Sequence, residues 1–114
     1  MGNTVLGVVY VHGFELPVIL VPTLVVEGSV VAGSFNINEG ICIREELSDP
    51  NKRSTLLHEI AHAIITLGTP PERRNDEHVL VYAIETGWFS VLTDPRNAWV
   101  LDYVVRGKLP TASP

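Results

Sequence analysis

The chain has 114 residues, 46% of them hydrophobic and 18% charged, and a formal charge of -5. That length holds one core without room for a second domain beside it, and that composition excludes a disordered chain, which cannot bury enough apolar surface to offset its ordering entropy. The acidic balance, with cations clustered only at Lys52-Arg53 and Arg73-Arg74, excludes a nucleic-acid footprint.

Cys42 is the only cysteine, so no internal disulfide framework is available. The longest uncharged apolar run, Leu16 to Val26, is broken by Pro17 and Pro22 and is too short to span a bilayer as a helix. Met1-Gly2-Asn3-Thr4 lacks the basic region and apolar core of a signal peptide, and Leu6 stands where a myristoylation signal requires Ser or Thr. These features predict a soluble, cytoplasmic protein with neither nucleic-acid nor membrane partners.

From Thr4 to Ile43 the chain is rich in Val and Ile, is punctuated by glycine and proline, and shows no sustained helical period. Strands are predicted at Val5 to Val11, Val18 to Val26, Val30 to Asn36 and Gly40 to Arg44, with turns at Glu27-Gly28 and Asn38-Glu39-Gly40. Connections this short favour antiparallel pairing, since a parallel crossover needs a dozen or more residues. After Glu46 the pattern becomes helical. Asp49 is the expected cap of a helix from about Pro50 to Leu67, with Gly68 as its stop. Thr69-Pro70-Pro71 breaks the chain, and Asn75 or Asp76 caps a second helix to about Leu92. Asp94-Pro95 opens a third helix ending near Gly107. The expected architecture is an α+β domain over residues 1–108: a small antiparallel sheet of three to four strands, then three helices on one of its faces. The tail from Leu109 to Pro114 is expected to be loose.

The run Leu56-Leu57-His58-Glu59-Ile60-Ala61-His62-Ala63-Ile64 places three polar groups in an apolar stretch. On a helix His58 and His62 project from the same face about one turn apart, roughly 6 Å, a spacing suited to two ligands of one metal ion. Neutral imidazoles favour zinc, which in catalytic sites takes three protein ligands and keeps one position for water. Glu59 should sit beside the ion rather than on it, positioned to take a proton from that water, which zinc would acidify toward a pKa of about 7 for attack on a carbonyl. The apolar neighbours predict imidazoles in a low-dielectric wall, where unpaired polar groups are costly.

No third histidine follows at the short metzincin spacing. The candidates for a third ligand lie on the second helix: Asp76, Glu77, His78 and Glu85. If the first two helices form an antiparallel hairpin, Glu77 and His78 fall opposite His62, and Glu85 falls closer to His58.

Thr-Leu-Leu-His-Glu-Ile-Ala-His-Ala-Ile, followed by Asn-Asp-Glu-His-Val-Leu-Val-Tyr-Ala-Ile-Glu-Thr-Gly-Trp, resembles the small phage-type zinc metallopeptidases related to the ImmA/IrrE group. The resemblance runs from about Ile41 to Val104, and Ile41-Cys42-Ile43-Arg44-Glu45-Glu46-Leu47 is similar to that family's strand leading into the active-site helix. It implies a minimal zincin-like, gluzincin-type domain with the histidine-bearing helix packed on the sheet. It further implies that His58, His62 and Glu77 hold zinc, with Glu59 as catalytic base. The interval from His62 to Glu77 is shorter than in the larger members, which leaves His78 and Glu85 open as alternatives to Glu77.

His12 reads as a surface residue and Cys42 as a small apolar group on a strand. Tyr82, Trp88, Phe89, Trp99 and Tyr103 recur at near-helical intervals, which predicts core packing; Tyr82 or Tyr103 could also donate to an oxyanion. If the strand Ile41 to Arg44 is an exposed sheet edge, an extended substrate could pair with it. The expected function is zinc-dependent hydrolysis of a peptide or protein substrate in the cytoplasm, that of the host cell if the chain is phage-encoded. The alternative is a zinc-containing binding or regulatory protein, such as a phage accessory factor, without robust proteolysis; its small size favours it, because a bound metal stabilises a small fold.

Overall fold

A computed structural model describes residues 3–109. Strands β1 (Thr4–Val11) and β2 (Phe14–Val21) form an antiparallel hairpin. His12 and Gly13, at φ 49° and 82°, make its two-residue turn in the left-handed conformation that matches the twist of paired strands, so β2 begins at Phe14 rather than at Val18. A register shift between Val5 and Gly7 turns both Leu6 and Val9 into the core.

Beyond Val21 the chain leaves the sheet at Pro22. It forms a separate two-stranded hairpin, β3 (Val25–Val26) and β4 (Ser29–Val30), turned on Glu27 and Gly28 at φ 51° and 81°. It then returns as β5 (Gly33–Asn36) and β6 (Gly40–Arg44). The two longer strands expected at Val18 to Val26 and Val30 to Asn36 are therefore each broken. The order in the main sheet is β1-β2-β6-β5, with β6 parallel to β2 and antiparallel to β5. The sheet is thus mixed, not purely antiparallel, because the segment between Val21 and Gly40 is long enough to serve as a crossover. Pro17 precedes the first residue of β2 that pairs with β6, Val18, so its missing N–H costs that ladder nothing. This order also corrects the expected sheet edge: β6 is interior, and β5 is the edge strand.

Helix α1 (Asp49–Gly68) is capped by Ser48, whose hydroxyl accepts from the Asn51 N–H, while Asp49 lies in the first turn. It ends where Thr69 turns extended before Pro70, and the Arg74 guanidinium donates to the carbonyls of Thr66 and Thr69. Gly68 lies within the helix rather than beyond it; a Cβ there would stand 2.6 Å from the His12 imidazole. Asp76 caps α2 (Glu77–Thr93) by accepting from the N–H groups of His78 and Val79. A 3-10 turn over Pro95–Asn97 leads into α3 (Ala98–Arg106), which stops at Gly107 in the left-handed conformation.

The core lies between the sheet and the helices. Val9, Val11, Leu16, Val18, Ile41 and Ile43 meet Leu56, Ile60, Ala63 and Ile64 of α1, with Val91, Val100 and Tyr103 completing the cluster. Buried Asn97 ties the last helical segment to the sheet. Its amide oxygen accepts from the Tyr10 N–H at 2.8 Å, and its nitrogen donates to the carbonyls of Tyr10 and Val91, each at 2.9 Å. Trp99 donates to the Val8 carbonyl and lies flat on Gly7, where a Cβ would come within 2.8 Å of the indole. Trp88 and Trp99 pack against the core as expected, whereas Tyr82 and Phe89 are 67% and 71% exposed. Among the described residues no helix is long and apolar enough to cross a membrane. The tail expected to be loose lies, beyond Leu109, outside the described residues.

Candidate metal centre

Helix α1 presents two different faces. Leu56, Ile60, Ala63 and Ile64 seal the core, while His58 and His62 emerge on the side facing β5 and are exposed. The expectation of imidazoles in a buried apolar wall is corrected here: Leu57 is itself exposed, and the histidines open into a cleft of about 650 Å³. Of the three polar groups only Glu59 is buried, at 5% exposure.

The Nε2 atoms of His58 and His62 lie 3.1 Å apart, their rings edge to face at 74°. Tetrahedral zinc with bonds of roughly 2.0–2.1 Å separates neighbouring nitrogens by about 3.3 Å, so the pair fits one ion with little movement. Ligand atoms of His58, Glu59 and His62 all fall within 4.8 Å of one another. Glu59 makes no side-chain hydrogen bond among the described residues, yet its oxygens are not among the buried atoms left unpartnered: the residue is largely buried and its carboxylate end faces the cleft, open to water or a cation. Burial pushes its pKa above the ordinary carboxyl value, and the His62 and His58 imidazoles pull it partly back. The donor set of two imidazoles beside a carboxylate suits a divalent metal such as zinc.

The opposite wall is β5. Gly33 faces α1 so closely that a Cβ would stand 2.5 Å from Thr55 Cγ2 and 3.1 Å from Glu59 Cγ. A glycine inside an apolar strand pattern marks such a close approach, and Gly33 is the sequence signal for this wall. The Arg44 N–H donates to the Ala32 carbonyl at 2.8 Å, one step from the Gly33–Ile43 pair. Antiparallel ladders alternate, so the N–H and C=O of Gly33 and Phe35 point away from β6, toward the free edge above the cleft.

The candidates on α2 do not join this group. Glu77, His78 and Glu85 are exposed, Asp76 is spent on the helix cap, and none contributes a ligand atom to the His58–Glu59–His62 cluster. The reason is the level at which the helices meet. Gly87 admits the Ile64 side chain against the α2 backbone, so the part of α2 beside the second histidine's turn is ten residues beyond Glu77, about 15 Å along the axis. Neither Tyr82 nor Tyr103 lines the cleft. Compared with protein-family models, with curated proteins and with solved structures, the chain finds no match.

Proposed function

We propose that the protein is a zinc-dependent metallopeptidase acting on a peptide or protein substrate. The observation that carries this reading is the pair of Nε2 atoms 3.1 Å apart, with the Glu59 carboxylate within ligand distance of both, in an open cleft walled by a sheet edge. His58 and His62 would hold the ion through their imidazole nitrogens, and among the described residues no group other than Glu59 stands with them as a third protein ligand. Bound there, zinc supplies an acidified water and polarisation of the scissile carbonyl. Glu59 would act as the general base and acid, accepting a proton at a carboxylate oxygen and returning it to the departing amine, and its burial makes it the stronger base for the first task. The outward backbone groups of Gly33 and Phe35, rather than the interior strand Ile41 to Arg44, align an extended peptide as an added strand.

A second reading is favoured by one specific observation: Glu59 itself lies within ligand reach of both histidines, whereas Glu77 lies outside the group. With Glu59 as third ligand the site would hold a metal without a base, as a binding or regulatory protein requires. Metal titration of wild type, His58→Ala, Glu59→Gln and Glu77→Ala, with a peptide-cleavage screen, separates the two. The peptidase reading expects Glu59→Gln to keep one zinc at wild-type affinity and to lose cleavage. A loss of affinity of about 10-fold or more in that variant selects the second reading. His58→Ala should abolish stoichiometric binding in both. Glu77→Ala should leave affinity unchanged; a loss there would give Glu77 the third position implied by the family resemblance.

A further inference from the structure

A second cavity of about 260 Å³ lies on the other side of the edge strand. Ser34 pairs directly with Cys42, and both point to the sheet face opposite the helices, while their neighbours Ile41 and Ile43 point into the core. Leu24, Val25 and Val26 of the small hairpin cover this face, and Glu39 stands beside it. The cavity shares Val26, Ser34 and Phe35 with the metal cleft, so the two meet at the β5 edge.

A strand added to that edge sends alternate side chains to opposite faces of the sheet. Residues level with Gly33 and Phe35 would project toward His58 and His62, and the residue level with Ser34 would project toward Cys42. We propose that the cavity beneath the β3–β4 hairpin is a subsite for one aliphatic side chain of the bound peptide, the residue that pairs with Ser34. This rests on the peptidase reading and adds to it a substrate class: peptides with a Val, Leu or Ile next to a residue that faces the metal cleft. Size, continuity and charge argue for that occupant. The volume is below the roughly 300–1,000 Å³ of small-molecule sites and suits a single side chain. The cavity opens onto the same edge as the cleft. Leu24, Val25, Val26 and Phe35 give it an apolar wall beside the Cys42 thiol, Ser34, Asn36 and Glu39 make the rest of its lining polar, and the Glu39 carboxylate repels acidic residues.

Cys42 is the chain's only cysteine and lines this cavity, so alkylation labels this one position. Zinc-loaded Glu59→Gln is mixed with iodoacetamide and with peptides differing only at one position, Leu, Gly or Asp, while wild type is screened for cleavage of the same set. The Leu peptide should slow alkylation about 10-fold at ten times its Kd, because only the free protein reacts, and Gly and Asp peptides should not. Val25→Thr keeps the shape and strand propensity of an exposed residue and should weaken protection about 5-fold by making the roof polar. Equal protection by all three peptides, or none by any while wild type cleaves them, overturns the subsite alone. Protection by free hexanoate as strong as by the Leu peptide overturns it in favour of a small apolar ligand. No cleavage of any peptide and no protection overturns the peptidase reading and the subsite together.

Discussion

Gly33→Ala tests whether the β5 edge is pressed against the metal-bearing face of α1. The added Cβ would stand 2.5 Å from Thr55 Cγ2, 3.1 Å from Glu59 Cγ and 3.2 Å from the Cys42 carbonyl oxygen. The nearest of these belongs to a β-branched side chain that is stiff at χ1, so it cannot swing away as a long flexible chain would. Overpacking of this kind costs about 1–3 kcal/mol, and stiffening of the unfolded chain by Gly→Ala returns about 0.4–1 kcal/mol. The net expectation is a loss of about 1–2 kcal/mol, or roughly 5–10 °C in Tm for a domain of this size. Thermal and urea unfolding of the metal-free protein measure it. Thr55→Ser removes the offending methyl, so Gly33→Ala should cost at least 1 kcal/mol less in the Thr55→Ser background than in wild type. If Gly33→Ala is neutral or stabilising in wild type, or if the two substitutions are additive, β5 does not press on α1 at this point. The wall assigned to the cleft would then be wrong.

Two further predictions concern burial of polar groups. The Glu59 carboxyl has its pKa raised in the folded chain above the ordinary 4.5, so between that value and the folded pKa the folded state binds more protons than the unfolded one. Metal-free wild type should therefore lose stability as pH rises through this window, the loss being complete above the folded pKa. Glu59→Gln should lack this component in denaturant titrations at a series of pH values; an identical pH profile for the two proteins would refute the raised pKa. Asn97→Ala removes three hydrogen bonds of 2.8–2.9 Å and leaves the Tyr10 and Val91 backbone groups unpaired. A destabilisation of about 2–4 kcal/mol is expected, and a value under 1 kcal/mol would show that water replaces the amide.

The local rules that place helix ends worked because they act within a few residues. Asp76 accepts from two N–H groups of the next turn, Pro50 sits where no donor is needed, and Gly107 adopts the left-handed stop. The same locality explains the errors. Whether Ser48 or Asp49 caps α1 depends on which side chain faces the free N–H groups, and Gly68 is set by the approach of His12 from a distant turn. Strand continuity failed at Pro22 and again at Val31-Ala32, where the chain leaves the sheet to build a hairpin that apolar alternation alone cannot distinguish from a continuing strand.

At the site, the four-residue spacing of His58 and His62 was decided by the helical period, which is a property of the chain itself, and it brings their Nε2 atoms to 3.1 Å. The α+β composition and the three helices followed from pattern in the same way. Which strand forms the edge, which side of α1 carries solvent, and how far Glu77 stands from the histidines depended on pairings between segments distant in sequence. The parallel crossover moved the edge from β6 to β5, and the Ile64–Gly87 contact set the level of α2. Those choices are made by packing against partners that the local sequence does not specify, and only the assembled tertiary structure decides them.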